Sequence, residues 1–129
     1  MNIEQYNILV NYGRWCHYLG IRGYKTGIQR KNYYIDDNLA LKIDRIMQPI
    51  KDNNPLAYSV FMAHFFNGIE YQHICTYIKR NNKYNLQDSD LRMLTYINRY
   101  VIADCIDKLG DKIFLQLQEQ ERQAITPTK

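Results

Sequence analysis

Apolar residues recur every three or four positions along almost the whole chain, and this spacing constrains the fold of its 129 residues more than any other feature. The clearest example is "LALKIDRIMQPI", where Leu39, Ile43, Ile46 and Ile50 would share one face of an α-helix. No stretch shows the sustained alternation of apolar and polar residues that a half-buried strand requires. The sequence therefore predicts an all-α fold.

Glycine, proline and capping residues divide this pattern into about six helices. The first is expected over residues 4–18, and its apolar face would hold Ile3, Tyr6, Val10, Leu19 and Trp15, an anchor of the core. The second helix is expected to begin at Asp36 or Asp37 and to end at Pro49 and "KDNNP". The third is expected from Pro55 to Asn67, before a left-handed Gly68, and the fourth from about Glu70 to Arg80. The fifth is expected from Asp88 or Ser89 through Leu109, before Gly110, and the last from Asp111 to about Ala124.

We expect a single compact domain, because 129 residues leave little room for two and the 46% hydrophobic share is enough for a core. Residues 1–35 would form the N-terminal helix and a basic loop rich in glycine and tyrosine. Residues 36–109 would form the helical core, and residues 110–129 the C-terminal helix and tail.

The net charge of +4 arises from residues 1–35, which hold five basic side chains and one acidic one, whereas the rest of the chain holds twelve of each. Four of the five basic residues lie in the predicted loop, interleaved with tyrosines: Arg22, Lys25, Arg30 and Lys31. A local positive field attracts phosphates, and tyrosine rings stack on bases. The loop is therefore a candidate contact for nucleic acid, and the alternative is a solvated surface loop.

Motifs for catalysis, cofactors and membranes are missing from the sequence. The three cysteines and three histidines do not have the spacing of a structural zinc site, and neither a glycine-rich phosphate loop nor a GxSxG motif occurs. We therefore expect no enzyme, no metal and no cofactor. The absence of an apolar run of membrane-spanning length and of a signal sequence, together with the odd number of cysteines, predicts a cytoplasmic protein.

The stretch "FFNGIEYQHICTYI" resembles the opening of the helix-turn-helix motif in sigma-factor region 4. In such a motif the last helix would enter the DNA major groove. Basic residues in the turn would contact phosphates, and polar residues would follow along the next helix; the candidates are Lys79, Arg80, Lys83, Arg92, Tyr96 and Arg99. Asp88 and Asp90 at the start of that helix disfavour direct contacts with bases, and an ordinary helical bundle is the alternative.

Across residues 7–109 the order of short motifs resembles the phage late-gene antitermination proteins of the Q class, in the smaller type without zinc. The motifs are "YGRW" at residues 12–15, the glycine-rich "GYKTG", the acidic pair before "ALKID", the sigma-like segment and "IDKL" at residues 106–109. Tyr12 stands where the family more often has tryptophan, and the turn of the motif is lengthened.

This resemblance implies a protein that binds double-stranded DNA near a late promoter in a host bacterial cell. It also implies loading onto bacterial RNA polymerase with its sigma factor, contact with nascent RNA and read-through of terminators. Two alternatives remain open. One is a dimeric repressor that uses the same motif, and the other is a phage protein that inhibits a host protein.

Overall fold

The computed structural model describes residues 1–21 and 31–125, and within these ranges all regular structure is helical. The α-helices are α1 (Ile3–Ile21), α2 (Asp37–Asn53), α3 (Pro55–Phe65), α4 (Ile74–Asn81), α5 (Asp88–Leu94) and α6 (Arg99–Ile125), and a short 3-10 helix (Tyr71–His73) precedes α4. The predicted all-α class and the number of helices are confirmed.

One apolar core lies between α1, α2, α3 and α6. Each of these helices contributes fully buried side chains, among them Leu9, Ile43, Phe61, Ile102 and Ile106. α4 packs on α3, and α5 packs on α4. The α4–α5 hairpin therefore lies at the edge of the core and is held by a small number of apolar side chains.

α1 and α3 approach each other closely at Gly13. A Cβ atom at this position would lie 1.9 Å from the backbone oxygen of Phe65, so only glycine fits there. α1 also continues through Gly20, beyond its predicted end, to Ile21. Trp15 is 6% exposed, which confirms it as a core residue, whereas Ile3 is 79% exposed and does not belong to the predicted apolar face.

Two hydrogen bonds join α1 to α2 at the edge of this core. The Tyr12 hydroxyl donates to Asp44 Oδ1 over 2.9 Å, and the Trp15 Nε1–H donates to Asp37 Oδ1 over 3.0 Å. Asp36 caps α2, because its side chain accepts from the backbone N–H groups of residues 38 and 39. The first of the two adjacent aspartates is therefore the N-cap of α2.

α2 continues through Pro49 and ends at Asn53, within the predicted "KDNNP" segment. Pro49 lies on the exposed side of the helix, where water can satisfy the carbonyl that loses its N–H donor. Asn54 then begins α3, since its side chain accepts from the Ala57 N–H over 3.2 Å, and Pro55 occupies the first turn.

The predicted helix from residue 88 to residue 109 is wrong, because two helices occupy this range. α5 ends at Leu94, and Asn98 Oδ1 accepts from the N–H groups of Tyr100 and Val101 to begin α6. α6 then continues through Gly110, which was predicted to end a helix. Gly110 is buried, and a Cβ atom there would lie 2.5 Å from Met1 Sδ, so this glycine allows the N-terminal side chain to pack against α6.

Candidate nucleic-acid interface

The turn between α3 and α4 has the left-handed glycine that the sequence predicts, but α3 ends at Phe65 and not at Asn67, and α4 begins at Ile74 and not at about Glu70. Gly68 has a φ of +71°, a left-handed value that favours glycine. The 3-10 helix then leads into α4, which buries Ile74 and Ile78. α3 is thereby a support for α4, in the order that a helix-turn-helix requires.

The turn between α4 and α5 is longer than a tight turn, but side-chain hydrogen bonds define it. Asn82 and Asn85 adopt left-handed conformations, with φ values of 31° and 53°. The Asn82 side chain accepts from the Leu86 N–H over 2.8 Å and donates to the Leu86 carbonyl over 3.4 Å. Leu86 is buried, so the middle of the turn is attached to the core.

Four basic side chains lie on this hairpin and form what we call the cationic face: Lys79, Arg80, Lys83 and Arg92. All four are exposed, and Lys79 and Arg92 line one groove between α4 and α5. Lys83 Nζ lies 5.7 Å from the centre of the Tyr77 ring. Within residues 1–21 and 31–125, none of the four makes an ion pair.

Two aspartates reduce the positive charge of the α4–α5 hairpin without cancelling it. Asp88 lines the same groove as Lys79, and Asp90 is half-buried in the first turn of α5. Residues 74–94 hold four basic and two acidic side chains, a net charge of +2. The hairpin therefore keeps a net positive charge, while two carboxylates occupy the first turn of α5.

The structure separates residues that the sequence placed together on one reading helix. Arg92 is on α5, but Tyr96 lies in the turn that follows and Arg99 is the first residue of α6. The Arg99 guanidinium donates to the Tyr100 hydroxyl over 2.9 Å. The prediction of a single helix that carries Arg92, Tyr96 and Arg99 is therefore wrong, because Asn98 caps a new helix between them.

The predicted basic loop falls mainly outside the described residues, which include neither Arg22, Lys25 nor Arg30. Lys31 is exposed, and its Nζ lies 4.7 Å from the centre of the Tyr33 ring. Tyr33 is buried, so it belongs to the core and does not stack on a ligand.

The histidines and cysteines of the described ranges do not cluster. Among residues 1–21 and 31–125, no group of three His, Cys, Asp or Glu side chains has the arrangement of a metal site. The three cysteines are free and half-buried, and burial raises the pKa of the Cys16 thiol to about 11. As for membranes, the described helices include none with the length and apolar character needed to span a bilayer.

Asn82 and Asn98 shape this surface, and the sequence reasoning did not single out either residue for that purpose. Asn98 carries a recognisable signal, because asparagine is among the preferred residues at helix N-caps. Asn82 has a weaker signal, since its role depends on the buried position of Leu86. Comparison with known proteins adds nothing to this geometry: no family model, curated protein or solved structure matches the chain.

Proposed function

We propose that the chain is a transcription regulator that binds double-stranded DNA through the cationic face. The observation that carries this proposal is the set of four exposed basic side chains on α4 and α5 that make no ion pairs within the described residues. Exposed cations without partners are suited to neutralising phosphates, and their contacts release counterions from DNA.

The order of α3, α4 and α5 supports a helix-turn-helix mode of docking, in which α4 crosses the DNA backbone and α5 faces the major groove. α5 has only seven residues and carries Asp88 and Asp90 in its first turn. Contacts with phosphates from Lys79, Arg80, Lys83 and Arg92 would then supply most of the affinity. Base recognition would be limited to a few positions.

We further propose that this regulator acts in antitermination on bacterial RNA polymerase, in line with the resemblance of residues 7–109 to the Q class. In this role Lys31 and the preceding basic residues 22–30 would contact the transcription complex or its RNA. These residues are separated in the sequence from residues 79–92, which supports different roles for the two basic segments.

A gel-shift titration of a duplex from low to moderate salt tests the DNA-binding part of the proposal. The affinity is expected to fall steeply with salt, because each phosphate contact releases counterions. Lys79→Glu/Arg80→Glu should weaken binding to all duplexes alike, whereas Lys42→Glu/Arg45→Glu, which reverses two exposed charges on α2, should bind like the wild type. An affinity that does not change with salt, or an equal loss in both variants, would contradict the assignment.

In vitro transcription past a terminator tests the antitermination part separately. Adding the protein should increase read-through, and Arg30→Ala/Lys31→Ala should reduce it while binding to duplex DNA is retained. DNA binding without read-through would instead support the repressor, whereas no affinity for nucleic acid would support the inhibitor of a host protein. If Arg30→Ala/Lys31→Ala loses duplex binding and Lys79→Glu/Arg80→Glu keeps it, the loop and not the cationic face binds DNA.

A further inference from the structure

Asp88 is the acidic side chain in the groove between α4 and α5. This groove has a volume of about 400 Å³ and is lined by Lys79, Asp88, Leu91, Arg92 and Thr95. Asp88 is exposed, and its carboxylate forms no ion pair among the described residues, although two basic side chains line the same groove. The carboxylate is therefore accessible to a ligand that enters the groove.

The two aspartates in the first turn of α5 differ in position. Asp88 and Asp90 are two residues apart, which places them on nearly opposite sides of the helix. Asp88 shares its side with Arg92, one turn further along, and both line the groove. Asp90 is half-buried and does not line it. Of the two carboxylates, Asp88 is thus the one on the side of the cationic face.

A carboxylate in the major groove of DNA distinguishes between the bases, because an ionised aspartate only accepts hydrogen bonds. Guanine presents two acceptors in this groove, thymine presents one, and adenine presents an acceptor beside its amino group. All three repel a carboxylate through these acceptors. Cytosine presents only the donor of its N4 amino group. Cytosine is therefore the base that an aspartate fits best.

We propose that Asp88 is a specificity-determining residue, which accepts a hydrogen bond from the N4 amino group of a cytosine in the major groove. This inference rests on the proposed function, because it requires α5 to face that groove. Lys79 and Arg92 would contact phosphates near this base, and their charge would offset the repulsion between Asp88 and the DNA backbone. A carboxylate that disfavours contact with most bases would thereby select one of them.

A purely structural role for Asp88 leads to a different expectation. A negative charge in the first turn of a helix interacts favourably with the helix dipole, and Asp88 and Asp90 both lie in that turn. Removal of a charge with this role alone would change the stability of the fold and the affinity for all duplexes by a common factor. It would leave the relative affinities for different bases unchanged, so the base preference distinguishes the two roles.

Selection by the full chain from a pool of random-sequence DNA duplexes reveals the preference of the wild type. The selected duplexes are expected to share a cytosine whose replacement by thymine, adenine or guanine, with the matching partner base, weakens binding by about tenfold. A cytosine analogue without the exocyclic amino group should weaken binding to a similar extent, because the donor is lost. Selected duplexes without a preferred cytosine overturn the proposal.

Asp88→Asn and the matched control Asp90→Asn locate the preference. Asparagine both donates and accepts, and it pairs with N6 and N7 of adenine. Asp88→Asn should therefore lose the preference for cytosine and favour adenine at that position, whereas Asp90→Asn, which removes the same charge, should keep the preference of the wild type. A cytosine preference that survives in Asp88→Asn, or that is lost equally in both variants, overturns the proposal.

These measurements also separate the inference from the proposed function. If the wild type binds duplexes in a salt-dependent manner but without a cytosine preference, the cationic face binds DNA and the inference about Asp88 is overturned. If the wild type binds no duplex even at low salt, the proposed function is overturned, and the inference with it. Salt-dependent binding with a cytosine preference that requires Asp88 but not Asp90 supports the inference.

Discussion

The α1–α2–α3 region and the α4–α5 hairpin use their polar side chains in opposite ways. In the first region, several polar side chains pair with one another across the helices, as Tyr12 does with Asp44, Trp15 with Asp37 and Tyr6 with His64. In the hairpin, the four basic side chains point to solvent and lack ion pairs within the described residues.

The α1–α2–α3 region therefore acts as the scaffold, and the hairpin provides a charged surface. Within residues 1–21 and 31–125, every buried side-chain nitrogen or oxygen has a hydrogen-bond partner, so the interior is electrostatically satisfied. Exposed basic side chains contribute little to folding when they are unpaired. We therefore expect substitutions in the first region to change stability, and substitutions on the cationic face to change binding.

The largest effect is expected for Trp15→Ala. Trp15 is buried, its ring centre lies 6.1 Å from that of Tyr12, and its Nε1–H bonds to Asp37. Loss of a large aromatic side chain from a core costs roughly 3–5 kcal/mol in the free energy of unfolding. Urea denaturation should show an unfolded or severely destabilised variant; a stable variant that has lost only DNA binding would show that Trp15 contacts DNA.

A second large effect is expected for Gly13→Ala, because its Cβ atom would force α1 away from the Phe65 carbonyl. Overpacking of this kind costs up to roughly 3 kcal/mol. Gly20→Ala is the matched control on the same helix, since no atom lies within 4 Å of its Cβ position and alanine has the higher helix propensity. Thermal melts should show a lower Tm for the first variant and an unchanged or higher Tm for the second.

The helices and their glycines show how far the sequence alone predicts the fold. Periodicity identified most of the buried positions of α2, since Ile43, Ile46 and Ile50 are all buried. It could not show that Gly13, within the predicted first helix, is a site of close packing, or that Gly110 lies inside a helix at all. In the sequence, a glycine that ends a helix cannot be distinguished from one that makes room for a neighbouring group, because that group is known only from the fold.

The candidate site was predictable in its composition but not in its geometry. The basic residues 79, 80, 83 and 92 were recognised from charge and position, and all are exposed. The end of α5 was missed because residues 88–109 keep a continuous apolar spacing, while the Asn98 cap breaks the helix locally. The spacing of apolar residues therefore says little about helix boundaries when a capping side chain lies between two helices in the same pattern.

A smaller, pH-dependent effect is expected at His64. Its Nδ1–H donates to the Ile69 carbonyl over 2.8 Å, so Nε2 accepts from the Tyr6 hydroxyl at 2.6 Å. Burial lowers the pKa of His64 below its ordinary value of 6.5, although the bond to Ile69 opposes the shift. As the pH falls through 6.5, the unfolded chain takes up a proton that the folded chain does not, and stability decreases until the lower folded pKa is reached.

Urea midpoints of the wild type and His64→Gln, measured between about pH 7.5 and 5.5, would isolate this effect from the titration of carboxylates. The wild type should lose more stability than the variant as the pH falls. A difference between the two proteins that is constant over this range would show that protonation of His64 is not linked to folding.

The smallest effect on stability is expected where the largest effect on binding is proposed. Lys79→Glu/Arg80→Glu changes two exposed side chains in the last turn of α4. At this end of a helix a positive charge interacts favourably with the helix dipole and a negative charge interacts unfavourably. The loss in the free energy of unfolding should remain within about 1 kcal/mol, because surface charges at a helix end are well solvated. Lys42→Glu/Arg45→Glu, within α2, serves as the control for the change in net charge. If Lys79→Glu/Arg80→Glu is destabilised as strongly as Gly13→Ala, Lys79 and Arg80 stabilise the fold, and the expectation that the cationic face affects binding but not stability is wrong.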